Sequence, residues 1–354
     1  MKKLLHIIYR DKFTATYINF MKTIMNSYTH IFITTGDKHT LLLSDYNDVY
    51  IIDSYRNITN DFFRNLFQDC DQIIVSGIFG IQKYLVKLPS EILEKVSLQF
   101  WGGDFYGYRD LSFGFSKSIW RKIVSRYYLR KVISKCDSLL FLIPDDYYEY
   151  LKIINIPKKH FICPVPLEPN EVEDYAMLRD KTISRRILVG NSATKENEHK
   201  EAFEIIKLIK DNVEVMCPLS YGDSNYGNEI IEYGKNLFGE KFIPLTKWYE
   251  KCQYIDILAT CEIGVFNNNR QQALWNIYVM LAMGKKVFIR SNTPMWDWFK
   301  ELGVHIYDID SLKMEPSQSI FKMDEIDRVN NMGIIKKVKQ NDFEKWSMFF
   351  KSNV

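Results

Sequence analysis

Short apolar runs alternate with segments of helix length along most of this 354-residue chain. In the first half the runs lie at 4–9, 30–34, 49–52, 72–75, 96–100 and 138–143, with periodic segments such as 11–27 and 57–69 between them. After residue 185 the alternation restarts, and strands are expected at 186–189, 213–217, 241–243, 262–266, 286–289 and 304–307. This pattern predicts βαβ units with parallel sheets, arranged as two doubly wound, Rossmann-like α/β domains in tandem.

The boundary between the two domains is expected where the composition changes. Residues 157–184 carry four prolines and many charges, and proline disfavours continuing helices or sheets. The sequence therefore predicts an N-terminal domain at 1–165, a linker at 166–184, a second domain at 185–310 and a C-terminal helical tail at 311–354.

Composition excludes several classes of function. Hydrophobic residues make up 46% and charged residues 26% of the chain, which is ordinary for a globular protein. A net charge of +3 is too small to indicate a nucleic-acid partner. No apolar run approaches the roughly 18–20 residues of a membrane span. The scattered cysteines lack metal-ligand spacing, so we expect reduced thiols in a cytoplasmic protein and no catalytic metal.

Ligands of open parallel sheets bind at the carboxyl ends of the strands, and the first candidate turn follows the strand 186–189. Gly190 allows close backbone approach, while Asn191 and Ser192 offer polar side chains before the next helix. Free amides at such a turn favour an anion such as a phosphate. The alternative is that Ser192 or Thr194 only caps the helix.

The second candidate turn follows the strand 262–266. Arg270, Gln271 and Gln272 are expected to open a helix there, and Asn276 would lie on the same helix face as Gln272. An arginine fork and two amides at a helix N-terminus favour a bound anion, because the helix dipole adds to the arginine charge. The alternative is a loop end with a solvated arginine.

Two further turns carry candidate residues. Trp101, Gly102 and Gly103 follow the strand 96–100 and deliver Asp104, which either accepts a proton from a hydroxyl nucleophile or caps a helix. Tyr221 lies in a loop after the strand 213–217, where it could stack on a ligand, donate a hydrogen bond, or serve only the loop.

Three segments together resemble one family. The sequences WGGDFYGY (101–108), LVGNSATKENEH (188–199) and NNNRQQALWNIYVMLAMGKKVFIRSNTPMWDW (267–298) are similar to the bacterial 4-acetamido-4,6-dideoxygalactose (Fuc4NAc) transferases. That family, glycosyltransferase family 56, completes the lipid-linked trisaccharide of enterobacterial common antigen. The resemblance runs in order from about residue 98 to 300. Its pattern departs at Ala273–Asn276, where bulkier residues replace small ones near the expected sugar pocket.

The resemblance implies the GT-B architecture, with two Rossmann-like domains facing a cleft, the acceptor on the N-terminal domain and the donor on the C-terminal one. It implies a nucleotide-sugar donor and no metal or other cofactor. The implied donor residues are Asn191, Ser192, Arg270, Gln271 and Gln272. Tyr221 and Asn276 are added as donor-side candidates from the loop and the helix face described above. On the acceptor side are Trp101, Gly102 and Gly103, with Asp104 as the catalytic base. Asn197 and His199 are also matched positions, and His199 is expected to be packed.

The expected activity is therefore transfer of a Fuc4NAc-like deoxy-aminosugar from a dTDP- or UDP-sugar to a lipid-linked or surface glycan, with inversion. Residues 116–135 hold seven Lys or Arg and no acid, interleaved with apolar residues, so we expect peripheral contact with the cytoplasmic face of the inner membrane. The alternatives are a nucleotide-sugar epimerase of the same fold, and a non-catalytic nucleotide-sugar-binding protein.

Overall fold

The structure, a computed structural model, describes residues 2–10, 14–35, 48–109, 117–164, 174–209, 212–314 and 317–353. The chain divides into two compact units, Met1–Leu167 with Asn341–Val354, and Glu168–Gln340. The C-terminal segment expected at 311–354 is thereby split between the units. Of the expected linker, 166–173 lies outside the described residues, and 174–181 is helical.

The first unit is built on a parallel seven-stranded sheet, in the order β3-β2-β1-β4-β5-β6-β7. Its strands are β1 (Lys3–Ile8), β2 (Thr29–Thr35), β3 (Val49–Ile52), β4 (Gln72–Ser76), β5 (Val96–Gln99), β6 (Ser138–Phe141) and β7 (His160–Ile162). Its helices are α1 (Thr14–Ile24), α2 (Asp61–Gln68), α3 (Gln82–Leu85), α4 (Ser90–Leu93), α5 (Gly103–Tyr106), α6 (Lys117–Lys135) and α7 (Pro144–Ile154). The strand β7 was not predicted, because it is short and has prolines on both sides.

The second unit repeats the plan with a parallel sheet ordered β10-β9-β8-β11-β12-β13. Its strands are β8 (Arg186–Val189), β9 (Glu214–Pro218), β10 (Phe242–Leu245), β11 (Ile263–Phe266), β12 (Lys286–Ile289) and β13 (Tyr307–Asp308). Its helices are α8 (His199–Lys207), α9 (Ser224–Phe238), α10 (Lys251–Thr260), α11 (Leu274–Ala282), α12 (Pro294–Glu301) and α13 (Ser317–Ile320). The predicted tandem of doubly wound domains is confirmed.

The last helix, α14 (Glu325–Asn353), begins in the second unit and ends in the first. In the second unit Asn331 accepts from the amide of His305 at 2.7 Å and donates to its carbonyl at 2.8 Å. In the first unit Trp346 is fully buried and donates from Nε1 to the carbonyl of Pro164 at 3.0 Å. The end of the chain is therefore part of the core of the first unit.

Each sheet has one point at which the strand order reverses, so that later strands of the chain are added towards opposite edges of the sheet on its two sides. In the first unit this point lies between β1 and β4, and in the second between β8 and β11. Loops that leave the carboxyl ends of such neighbours diverge to opposite faces of the sheet and leave a crevice, which is where doubly wound folds bind ligands.

Candidate functional site

The turn after β8 brings the backbone unusually close to two polar side chains. Gly190 has φ +68°, and a Cβ at this position would lie 2.7 Å from Nε2 of His199 and 2.8 Å from Oδ1 of Asn197. Its amide donates to the carbonyl of Val265 on β11 at 3.0 Å. Glycine is therefore required here both for the backbone conformation and for the close approach.

Asn197 lies in a single turn of 3₁₀ helix at Lys195–Asn197, and its side chain fixes this loop through hydrogen bonds. Its Oδ1 accepts from the amide of Asn191 at 3.1 Å and from Nδ2 of Asn268 at 3.1 Å. Its Nδ2 lies 3.1 Å from the carbonyl of Ser192 and 2.9 Å from Oγ1 of Thr194. The side chain is 1% exposed, so both ends of a buried amide are used to fix the turn.

The sequence analysis predicted that Arg270, Gln271 and Gln272 form the first turn of a helix. This prediction is wrong, because the segment is a loop. Ala273 adopts φ +62° and α11 begins only at Leu274. Because a left-handed residue interrupts the helical path, the three side chains precede the helix. Gln272 turns back towards β8 and donates from Nε2 to Oδ1 of Asn191 at 3.1 Å and to Oγ of Ser192 at 3.1 Å.

The same Gln272 nitrogen lies 3.0 Å from Oγ1 of Thr194. We call the resulting set, which joins the loops after β8 and β11, the amide cluster; its members are Asn191, Ser192, Thr194, Asn197, Asn268 and Gln272. The structure thus brings together three of the residues predicted for a donor site. Thr194 and Asn268 were not predicted as ligand-binding residues, and Asn197 was named only as a matched position without a role, although all three lie in the motifs that carried the resemblance.

Arg270 and Gln271 lie next to the amide cluster along the chain. The side chain of Arg270 is 12% exposed, its Nη1 donates to the carbonyl of Gln271 at 2.8 Å, and its Nε is 3.9 Å from Oε1 of Glu196. Gln271 is 2% exposed. Among the described residues, Oε1 of Gln271 and Oε1 of Gln272 have no hydrogen-bond donor, and the same holds for Oδ1 of Asn267 and Oδ1 of Asn268 earlier in this loop. Buried amide oxygens are normally satisfied, so the oxygens of Gln271 and Gln272 are suited to a ligand N–H or O–H.

Tyr221 joins the amide cluster from the loop after β9. Its hydroxyl accepts from Nδ2 of Asn191 at 2.9 Å, and its carbonyl accepts from the amide of Ala193 at 2.7 Å. A parallel bridge connects Ala193 to Gly222. The ring remains 40% exposed. Tyr221 is therefore held by the site on its polar end and open to solvent along its ring.

Asn276 lies deeper than the sequence suggested. It is 3% exposed and donates from Nδ2 to the hydroxyl of Tyr254 on α10 at 2.9 Å. Burial raises the pKa of Tyr254, and the nearby Tyr221 raises it further. Asn276 thus supports a tyrosine behind Tyr221 and makes its side-chain hydrogen bond outside the amide cluster.

His199 is packed, as expected. It is fully buried at the start of α8, its Nδ1 lies 3.2 Å from the hydroxyl of Tyr226, and burial lowers its pKa to about 4. The neutral imidazole is consequently the stable form at neutral pH, and it packs beneath the glycine turn after β8.

The acceptor-side candidates all lie in the first unit. Asp104 is 5% exposed, and its carboxylate accepts from the amide of Trp101 at 3.1 Å and from the amide of Ile78 at 3.1 Å. Gly102 has φ +90°, and Gly103 begins α5. The carboxylate therefore ties the loop after β4 to the loop after β5.

Two aromatic residues that the sequence analysis missed accompany Trp101. The ring centroids of Tyr9 and Phe79 are each 6.2 Å from the Trp101 ring, and Nε1 of Trp101 donates to Oγ of Ser76 at 3.1 Å. Each of the three aromatic residues follows the carboxyl end of a strand. The segment GIFG (77–80) could have indicated Phe79, because it resembles the glycine-containing turns after strands that let a ligand approach the backbone.

The described residues also bear on two other kinds of site. No group of three or more His, Cys, Asp or Glu there could hold a metal ion. In the same part of the chain, no helix has both the length and the apolar content to cross a bilayer.

Comparison with known proteins identifies the fold. The chain is similar to a glycosyltransferase from Rickettsia africae, at 13% identity and a TM-score of 0.62, covering 97% of this chain and 98% of that chain. It is similar to Anabaena Alr3699/HepE, solved with UDP and glucose, at 11% identity and a TM-score of 0.68, covering 99% of this chain and 100% of that chain.

A third likeness is to an E. coli structure described as trehalose-6-phosphate bound with UDP-2-fluoro glucose, at 9% identity and a TM-score of 0.67, covering 99% of this chain and 98% of that chain. These likenesses show the GT-B fold. The family model described as 4-alpha-L-fucosyltransferase, glycosyl transferase group 56, matches residues 1–334. The chain therefore belongs to glycosyltransferase group 56 and is a glycosyltransferase of the GT-B fold.

Proposed function

We propose that this protein transfers a 6-deoxy aminosugar of the Fuc4NAc type from a dTDP- or UDP-sugar to the hydroxyl of a glycan. The observation that carries the proposal is the amide cluster at the switch point between β8 and β11, with Arg270 beside it. The family description names transfer of fucose, itself a 6-deoxyhexose, which supports a deoxysugar donor. The similar Anabaena and E. coli structures contain UDP or a UDP-sugar, which supports a nucleoside diphosphate as leaving group.

The leaving diphosphate needs stabilisation of the negative charge that develops as the glycosidic bond breaks. Arg270 supplies a positive charge. The first amides of α11, from Leu274 onward, have no carbonyl partner within their own helix and point towards its N-terminal side. Preorganised donors of this kind lower the barrier because they need no reorganisation during the reaction. We propose that the diphosphate binds here without a metal.

The buried side-chain oxygens of Gln271 and Gln272 suit a different part of the donor. A phosphate offers only acceptors, whereas a sugar offers O–H groups and an acetamido sugar also an N–H. We therefore propose that Gln271 and Gln272 accept hydrogen bonds from the transferred sugar. Three oxygen acceptors fix the Gln272 nitrogen, so its Oε1 is held in one orientation.

The experiment is a thermal-shift series with dTDP, UDP, GDP and CMP, with and without Mg²⁺. Binding at a hundredfold excess over Kd stabilises the native state by about 2.7 kcal/mol. We expect a metal-independent shift with dTDP or UDP in wild type and in Arg56→Ala, an exposed arginine of the other unit. The shift should be lost in Arg270→Ala. A wild-type protein stabilised by none of the nucleotides would contradict the proposal.

The acceptor side of the reaction rests on the first unit. The role of Asp104 as the base that deprotonates the acceptor hydroxyl stays a prediction, as does inversion at the anomeric carbon. The anomeric configuration of the product, read from its proton coupling by NMR, tests inversion directly.

The acceptor is proposed to be lipid-linked, and α6 supports peripheral membrane contact. Trp120, Ile123, Val124 and Tyr127 form an apolar stripe along this helix and are 57%, 41%, 43% and 53% exposed. This spacing puts them on one helix face. Arg121, Lys122 and Lys131 are exposed as well, and each basic residue near an anionic bilayer contributes about 1 kcal/mol. Residue 116 of the predicted segment lies outside the described residues.

Two other arginines of α6 are used internally. Arg126 donates to the carbonyl of Ile153 and Arg130 to that of Ile154, at the end of α7. They anchor the helix and leave the apolar stripe outward. Co-sedimentation with phosphatidylglycerol vesicles should occur in wild type and in Trp248→Ala, another exposed tryptophan (55%), and should fall in Trp120→Ala. Equal sedimentation of both variants would contradict membrane contact through α6.

A further inference from the structure

Three aromatic side chains meet at the switch point of the first sheet. Tyr9 follows β1, Phe79 lies in the loop after β4, and Trp101 lies in the loop after β5; these strands are neighbours in the sheet. The ring centroids of Tyr9 and Phe79 are 4.7 Å apart, and each lies 6.2 Å from that of Trp101. We call these three residues the aromatic triad.

The backbone beneath the aromatic triad is fixed by several contacts. The amide of Tyr9 donates to the carbonyl of Ser76 at 2.8 Å. Gly77 has φ +79°, and a Cβ there would lie 2.8 Å from Cβ of Tyr9. The indole of Trp101 donates to Oγ of Ser76. A rigid base of this kind is what a binding platform needs, since little conformational freedom is lost when a ligand arrives.

Asp104 is the element that sets the distance between two of the rings. Its carboxylate accepts both the amide of Ile78, next to Phe79, and the amide of Trp101. Substituting this carboxylate would release the loop after β4 from the loop after β5. The geometry makes Asp104 a positioning residue for the aromatic triad, whether or not it also accepts a proton.

The aromatic triad is not covered like a core. Tyr9 is 37% exposed and Phe79 is 36% exposed. Both lie at the edge of the sheet where doubly wound folds bind ligands. Aromatic faces carry partial negative charge. One face of many pyranose rings presents several C–H bonds whose hydrogens are partly positive because of the neighbouring ring and hydroxyl oxygens. Flat apolar rings match such a face.

We propose that the aromatic triad binds the pyranose ring of the acceptor saccharide by stacking, with Asp104 holding the rings in place. This inference rests on the proposed function, because it assigns the acceptor of that same transfer reaction. It commits to a sugar and not to a nucleobase, since the residues suited to the nucleotide lie on the second unit.

The test is saturation-transfer NMR on the full chain with three probes, the methyl β-glycosides of glucose, galactose and N-acetylglucosamine. The nucleotide identified by thermal shift is present throughout. We expect saturation to reach the C–H protons of one sugar face in wild type. Phe79→Ala should weaken binding about tenfold, the size expected for one aromatic contact. Phe62→Ala, which removes another exposed phenylalanine (56%) of the same unit, should leave the signal unchanged.

Asp104→Ala and Asp104→Asn together separate positioning from proton transfer. Oδ2 of Asp104 accepts from both amides, and the side-chain oxygen of asparagine can still do so, whereas alanine cannot. Loss of glycoside binding in Asp104→Ala, with nucleotide binding retained, supports positioning, and unchanged glycoside binding in Asp104→Ala would overturn it. A lowered rate of sugar transfer in Asp104→Asn, with glycoside binding unchanged, would assign Asp104 to the chemistry.

The remaining outcomes each decide the inference. Nucleotide binding without saturation transfer to any glycoside would overturn the aromatic acceptor site while leaving the proposed donor site intact. Saturation of nucleobase protons that depends on Phe79 would reassign the aromatic triad to the nucleotide. Absence of nucleotide binding would instead contradict the proposed function itself. Trp101→Phe, which keeps a ring at its position, provides a second variant should Phe79→Ala melt early.

Discussion

Removing the side chain of Asn197 should both destabilise the second unit and weaken nucleotide binding. The Asn197→Ala variant leaves two buried donors without their acceptor, the amide of Asn191 and Nδ2 of Asn268. An unsatisfied buried donor costs about 1–3 kcal/mol, so the loss is roughly 2–6 kcal/mol. For a unit of this size, each 1 kcal/mol lowers Tm by about 2–4 °C. A loss of ~4 kcal/mol therefore lowers Tm by about 8–16 °C.

The assay is urea unfolding combined with nucleotide titration of the same samples. Asn228→Ala is the matched control, because Asn228 is an exposed asparagine on α9 of the same unit; surface substitutions of this kind stay within about 0.5 kcal/mol. Nucleotide Kd should rise in Asn197→Ala, since Asn191 and Ser192 lose the side chain that orients them. A variant as stable as the control would refute the account of Asn197 as the hub of the turn. Lower stability with an unchanged Kd would show that the turn does not touch the nucleotide.

Four further substitutions test the packing within each unit. Gly222→Ala should destabilise the second unit by about 1–3 kcal/mol, because the new Cβ would lie 2.4 Å from the carbonyl oxygen of Ala193 at φ +118°. Gly333→Ala, whose new Cβ has no atom within 4 Å, should stabilise α14 by about 0.5–1 kcal/mol. Urea unfolding measures the change in the free energy of unfolding, which should have opposite signs in the two variants. Burial lowers the pKa of His199 to about 4, so the unfolded state alone binds this proton between pH 6.5 and about 4. The contribution of His199 to the free energy of unfolding should consequently be constant above pH 6.5 and fall by roughly 3 kcal/mol as the pH decreases to 4, and His199→Gln should remove that contribution from the profile. Trp346→Ala should cost about 3–5 kcal/mol, and near-ultraviolet circular dichroism should report the loss of packing in the first unit.

The fold could be predicted from periodicity because a parallel strand buried on both faces must be apolar along its whole length. The strands at Val49–Ile52, Arg186–Val189 and Lys286–Ile289 were predicted with their observed bounds, and the bounds of the other predicted strands differ by one to three residues. The start of α11 could not be predicted, because it depends on the left-handed backbone of Ala273. Alanine rarely adopts a left-handed backbone, so its presence in the sequence does not indicate that conformation.

The candidate site was predictable in its loops and less so in its contacts. Carboxyl ends of parallel strands locate the loops, and this argument alone led to Asn191, Ser192 and Gln272. It could not show that Asn276 makes its hydrogen bond one layer deeper, with Tyr254. Periodicity specifies a helix face, but the partner on that face depends on how neighbouring helices pack.

The two units use the same device at the carboxyl ends of their strands. A buried polar side chain ties together loops that leave neighbouring strands: Asn197 links the turn after β8 to Asn268 after β11, and Asp104 links the loops after β4 and β5. Asparagine and aspartate in such loops suggest catalysis or ligand contact when only the sequence is known. In the structure both side chains accept hydrogen bonds from backbone amides. Loss of activity on substituting either residue would therefore not identify a catalytic group. Only a rate that falls while both nucleotide and glycoside binding persist separates a reacting side chain from one that shapes the loops around it.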